Sequence, residues 1–315
     1  MKPIKEVKFV KEAMFGRKYM KWSCVETFLF LLKEGINKLI GDSYRYFSAW
    51  LFIRKWRKNG KDGRYFDFNG VKLSDVPTRY DIYALMFVFE DTFLSYCFFG
   101  DRYDKPFVES IDKHMKEGPY GYVDGAFDVT IKKGDVVIDA GAWMGDFSAY
   151  SAAKGATSYA FEPVEKTFQA LCKTAEFYTE SIHPVHKGLG VKPQELTINS
   201  GKDALDLASS IVIEKDYQVK EEKIVITTLD QFVAENNLTK IDFIKADIEG
   251  AERDMLRGAS HVLKTFAPKL AICTYHLPDD PYVLEQIILD ANPNYTVVHL
   301  RHKLFAMVTN KPTEV

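Results

Sequence analysis

The spacing of apolar residues divides the chain near residue 125. Beyond it, apolar runs of strand length alternate with stretches of helical period, the pattern of a parallel sheet covered by helices. The runs are DVVIDA (135–140), TSYAFEP (157–163), IHPVHKGLG (182–190), IVITTL (224–229), IDFIKAD (241–247), KLAICTY (269–275), YTVVHL (295–300) and LFAMVTN (304–310). Helical spacing fills 165–178, 229–235, 251–263 and 282–289. Only RHK separates the last two runs, so they predict an antiparallel hairpin closing an otherwise parallel, Rossmann-like α/β sheet. Residues 126–315 are therefore expected to form one domain.

Residues 1–125 read as a mainly helical, aromatic region, with runs such as VETFLFLLKEGINKLI and YRYFSAWLFIRKWRK. A turn-rich interlude, RKNGKDGRYFDFNGVKL (57–73), predicts a short hairpin. Charge sets this region apart: residues 1–64 carry 16 Lys and Arg against 6 Asp and Glu, while the whole chain sums to −2, so the remainder is acidic. No apolar run there reaches the roughly 18–20 residues of a membrane span. Its helices are expected to pack on the main domain or on a second copy of the chain, with a solvated basic face. Peripheral contact with an anionic membrane is the other reading. The four cysteines form no CxxC pair and no secretory leader is evident, which predicts a reducing, cytoplasmic compartment.

Candidate chemistry gathers at strand ends. VVIDAGAWMG puts Asp139 at the end of a buried strand, with Gly141 and Gly145 in the loop that opens the next helix. In open α/β sheets, ligands sit outside the carboxyl ends of the strands. Glu162 ends the second run, 21 residues beyond Gly141, where an acid can accept both hydroxyl protons of a ribose. The pair points to a nucleoside cofactor. A nicotinamide dinucleotide is disfavoured, because Trp143 stands where close approach of a pyrophosphate requires glycine.

The segments DAGAWMGDFS, AFEPVEKTFQAL, TTLDQF and above all IDFIKADIEGAERDMLRGA resemble the FkbM family of S-adenosylmethionine-dependent methyltransferases over roughly residues 135–276; EGPYGY (117–122) and YHLPDD are similar too. The resemblance implies a class I methyltransferase fold and O-methylation of sugars, glycans or related small molecules. It places Asp139, Gly141, Ala142 and Gly145 at the methionine end of S-adenosylmethionine, Glu162 at the ribose and Asp247 at the methyl-transfer end. Tyr120 is expected to close over the cofactor. Trp143 departs from the asparagine common in the family.

Two residues are the candidate catalytic pair. Asp247 ends one run and His276 follows the next; if those strands are neighbours, both stand at one rim. An ordinary histidine pKa of about 6.5 favours His276 as general base, with Asp247 orienting it or the acceptor. The competing structural account pairs Asp247 with Lys245, two residues earlier on the same strand face. Asp247, Glu249, His276, Asp279 and Asp280 are donors suited to a divalent metal, although their spacing alone is no metal motif. Glu252 is read as helix-terminus electrostatics, and Glu249 as either a turn residue or an acceptor contact. The acidic balance beyond residue 64 argues against a nucleic-acid partner. The alternative to an enzyme is a catalytically silent methyltransferase-like binding or scaffold protein.

Overall fold

The computed structural model describes residues 50, 52–68, 70–76, 82, 85, 120–201, 219–300 and 302–309. The expectations for residues 1–49 and most of 77–119 lie outside the described residues. Helical residues 52–56 lead into an antiparallel meander of β1 (Arg57–Gly60), β2 (Gly63–Phe68) and β3 (Val71–Ser74). The expected hairpin thus gains a third strand, whose Val71 and Leu73 are buried beside Phe66 and Phe68. A small hairpin, β4 (Tyr122–Asp124) and β5 (Phe127–Val129), follows.

The expected alternation then appears: β6 (Val136–Ala140), α1 (Asp146–Ala153), β7 (Thr157–Phe161), α2 (Glu165–Ala175) and β8 (Ile182–Val185). The short strand β9 (Gly188–Leu189) joins a long hairpin of β10 (Gln194–Gly201) and β11 (Val219–Thr227). The chain continues through α3 (Leu229–Glu235), β12 (Phe243–Ala246), α4 (Glu252–Arg257), α5 (Ser260–Thr265), β13 (Lys269–Cys273), α6 (Asp280–Ala291), β14 (Tyr295–Leu300) and β15 (Lys303–Val308). The central sheet has seven strands in the order β14-β15-β13-β12-β6-β7-β8. Five run parallel, and β15 pairs antiparallel with both β13 and β14, the closing hairpin read from sequence.

Alternation of side chains gives the sheet two apolar faces. Val137, Phe243 and Ala271 face the layer of α1, α2 and the β1–β3 meander, while Ile138, Ile244, Leu270 and Ile272 face the layer holding Leu229, Leu256, Leu263 and Leu284. The meander is fastened to α2 and to the turn after it by polar bonds as well. Ser74 N donates to Thr174 Oγ1 at 3.0 Å, Ser74 Oγ donates to Ala170 O at 3.0 Å, and Lys72 N donates to Tyr178 OH at 2.6 Å.

Three boundaries differ from expectation. The run 182–190 splits after Val185, where a tight turn (Lys187 N to Val185 O, 2.8 Å) carries the chain off the sheet edge and onto β11. The β10 strand has no counterpart among the expected runs because its inward residues, Leu196 and Ile198, are only two, and they pack on a satellite cluster with Val164, Ile224 and Ile226. The helix expected over 251–263 breaks at Gly258, whose backbone lies so close to β9 that a Cβ there would stand 2.0 Å from Gly190 O. Among the described residues no helix is long and apolar enough to cross a membrane.

Candidate active site

The parallel registers bring four strand ends to one rim: Ala140 pairs with Phe161 and with Ala246, and Ala246 pairs with Ile272. The chain leaves β6 through a loop with three left-handed residues, Gly141 (φ 75), Trp143 (φ 47) and Gly145 (φ 89). Gly141 packs so tightly on β12 that a Cβ would meet Asp247 O at 2.0 Å, so only glycine lets the loop cross there. Trp143 in this conformation is sparsely populated for a bulky residue. Its backbone N–H is held by Glu162 Oε2 at 3.1 Å, and its indole lies 5% exposed against the core.

Glu162, at the end of β7, accepts from Trp143 N and from Val164 N (2.9 Å). Burial pushes its carboxyl up to about 8 against the pull of those two N–H groups. Gly141, Trp143, Glu162 and Asp247 line one cleft of about 700 Å³ counting its open mouth, walled by Leu189, Ile198, Ile224 and Ile226. These aliphatic walls come from β9, β10 and β11. The strand-end motifs do not reveal them; the signal along the chain is the two-residue spacing of Leu196 and Ile198 in β10 and of Ile224 and Ile226 in β11.

Asp139, Ala142 and Gly145 sit behind this cleft. Asp139 is fully buried, accepts from Ser148 Oγ at 2.7 Å and pairs with Lys245 at 3.1 Å. Lys245 also donates to Gly141 O at 2.7 Å and Ala140 O at 3.3 Å, so its ammonium ties β12 to the glycine loop. Burial works to lower its pKa, but Asp139 and Asp247 outweigh that and raise it. The direct Lys245–Asp247 pair considered from sequence is therefore replaced by Lys245–Asp139. Nearby, burial pushes the Asp146 carboxyl up to about 7.

Asp247 has other partners. Tyr120 donates to its Oδ2 and Tyr275 to its Oδ1, each at 2.9 Å, and His276 Nε2 lies 3.5 Å from Oδ1. Burial would raise this carboxyl, yet Lys245, His276 and the two hydroxyls hold it below the ordinary range. The Tyr120 ring lies under the Lys303 ammonium at 4.3 Å, and Tyr122 stacks on Phe305 instead of entering the site.

His276 is 2% exposed in its side chain and lies among three carboxylates. Nε2 is 3.6 Å from Glu249 Oε1, and Nδ1 is 2.9 Å from Glu252 Oε1. Burial alone would lower its pKa, but Glu249, Glu252 and Asp247 push it up to about 10. The premise that it titrates near 6.5 thus gives way: it carries charge at neutral pH rather than a vacant lone pair. Glu252 does more than serve a helix end. It is wholly buried, accepts from Ile248 N (2.8 Å) and Gly250 N (3.0 Å), and so shapes the turn while facing His276. Glu249 stands in that turn with φ 55. Asp279 and Asp280 are drawn away by Arg253, whose Nη2 and Nε reach them at 2.5 and 2.7 Å. Of the five donors considered for a metal, the structure gathers Asp247, Glu249 and His276.

The strand order, the glycine loop after β6 and the acids ending β7 and β12 define a Rossmann-like class I methyltransferase fold. Residues 138–295 match the Methyltransferase FkbM domain, and the chain belongs to that family. It is 28% identical over 172 residues to Methyltransferase 1 of Beauveria bassiana, across 48% of this chain and 67% of that protein. Hexuronic acid methyltransferase AglP of Haloferax volcanii is 22% identical over 166 residues, across 53% of this chain and 66% of that one. A crystal structure of methyltransferase FkbM from Methylobacillus flagellatus KT aligns with a TM-score of 0.45 at 19% identity, covering 73% of this chain and 59% of that one. The chain thus spans about two thirds of the length of the curated relatives it matches.

Proposed function

We propose that the protein transfers a methyl group from S-adenosylmethionine to a hydroxyl of a sugar, glycan or related small molecule. The observation that carries this reading is the presence of Glu162 and Asp247 in one cleft, at strand ends on either side of the glycine loop. The residues fit the cofactor: a buried carboxylate already fixed by two backbone N–H groups can take a vicinal diol, and the walls of Ile198, Ile224 and Ile226 suit an adenine. When bound, the cofactor supplies a methyl group activated on a sulfonium.

The protein's part is then positioning. Asp247, held on both oxygens by tyrosines, offers its remaining lone pairs to an acceptor hydroxyl and aims it into the cleft. Tyr275 is 52% exposed, and its ring packs on His276 with centroids 4.1 Å apart, presenting an aromatic surface beside Asp247. Such a surface suits the apolar face of a sugar. The hexuronic acid methyltransferase among the relatives supports the same acceptor class.

Calorimetric titration with S-adenosylmethionine and incubation of labelled cofactor with fractionated glycan, lipid, RNA and small-metabolite pools test this. Saturable binding with label entering glycan or sugar fractions is expected. Absence of heat at millimolar cofactor would leave a binding or scaffold protein instead.

A further inference from the structure

We infer that Asp247, Glu249 and His276 form a site for one divalent first-row transition ion at the acceptor end of the cleft. Their ligand atoms all lie within 4.8 Å of one another, on the end of β12, the turn after it and the segment after β13. His276 supplies the independent observation. Its side chain is 2% exposed, and Nε2, the nitrogen that faces Asp247 and Glu249, makes no aligned hydrogen bond among the described residues. A buried imidazole left in that state is costly.

The distances favour an ion over direct pairing. Nε2 stands 3.5 Å from Asp247 and 3.6 Å from Glu249, beyond the roughly 2.7–2.9 Å of a charge-assisted N–H···O bond. Ligand atoms bonded at about 2.1 Å to one tetrahedral ion stand about 3.4 Å apart, close to this spacing. An ion there takes the place of the Nε2 proton.

The surroundings resemble those of a built metal centre. Glu252 lies behind the other ring nitrogen at 2.9 Å and is itself fixed by two backbone N–H groups, the arrangement that orients a ligating histidine. Tyr120 and Tyr275 fix Asp247 in the same way. One imidazole with two carboxylates suits Mn²⁺ or Zn²⁺ better than the all-oxygen sets that Mg²⁺ and Ca²⁺ prefer. Three protein ligands leave a position open for an acceptor hydroxyl, whose pKa the ion lowers. That use rests on the methyl-transfer reading; the existence of the site does not.

The test is titration of chelator-stripped protein with MnCl₂, read by the EPR signal of free Mn²⁺ and by water-proton relaxation. One ion per chain is expected, with affinity at least about tenfold weaker in Glu249→Gln and in His276→Ala. Asp279→Asn, whose carboxylate lies with Arg253 outside the trio, should bind as the parent does. If His276→Ala fails to fold by near-ultraviolet circular dichroism, Glu249→Gln decides alone. Absence of stoichiometric binding, or equal binding in Glu249→Gln, overturns the site. Titrating the same samples with S-adenosylmethionine separates the two readings: cofactor binding without ion binding removes only the metal, and the reverse removes only methyl transfer.

Discussion

The ammonium of Lys245 lies 3.1 Å from the carboxylate of Asp139 and donates to the carbonyl of Gly141 at 2.7 Å. Both partners are buried, at 4% and 0% exposure. The charge beneath the glycine loop is thereby committed to β6, and Asp247 is left to face the cleft. Removing the cation strands a buried carboxylate, so Lys245→Met should cost about 3–5 kcal/mol of stability. Chemical denaturation checks this, and a double-mutant cycle with Asp139→Asn should recover part of the loss.

The glycine loop makes a second prediction by contrast. Gly125 and Gly141 both have left-handed backbones, φ 60 and φ 75, but a Cβ at Gly125 meets nothing within 4 Å while one at Gly141 meets Asp247 O at 2.0 Å. Gly125→Ala should cost only the conformational penalty of about 1–2 kcal/mol. Gly141→Ala adds overpacking of about 1–3 kcal/mol on top of that. Equal midpoints for the two variants in urea denaturation would contradict the close crossing of loop and strand.

Glu162 couples the cleft to pH. The folded protein holds this proton more tightly than the unfolded chain, with the carboxyl moved from 4.5 to about 8. Its contribution to stability is therefore greatest below the unfolded value and declines as the pH rises through that window. A ribose diol donates to the ionised form, so cofactor affinity should rise from pH 6 toward 8 and then level off, with proton release on binding at pH 7. Calorimetry in buffers of differing ionisation enthalpy measures the protons. Glu162→Gln should bind more weakly at high pH and lose the pH dependence.

At the rim, Asp247→Asn should preserve cofactor binding while lowering turnover at least tenfold, about 1.4 kcal/mol of barrier. Tyr275→Phe removes one of the two hydroxyls on that carboxylate and should have a smaller effect in the same direction. Steady-state assays with the identified acceptor check both, and unchanged turnover in Asp247→Asn would refute its placement at the acceptor.

Much of this arrangement was legible along the chain because its signals are local. Apolar runs of strand length separated by helical spacing, with three residues between the last two, leave few topologies open under the rules of crossover handedness and short connections. Glu162 and Asp247 were found for the same reason: an acid ending a buried run needs a partner or a ligand. The β10 strand carries no comparable signal, since its inward residues serve a satellite cluster instead of the main core.

Side-chain partners belong to a different level. Lys245 and Gly141 are 104 residues apart, and Tyr120 and Asp247 are 127 apart, so no local pattern could say which cation meets which carboxylate. Composition and periodicity determined a parallel sheet, its rim and the acids upon it. Tertiary packing alone decided that Lys245 turns to Asp139, that Arg253 captures Asp279 and Asp280, and that Glu252 folds inward to His276. Those choices depend on which buried charge a flexible side chain can reach once the strands are in register, and in a medium that penalises every unpaired charge the reach settles the outcome.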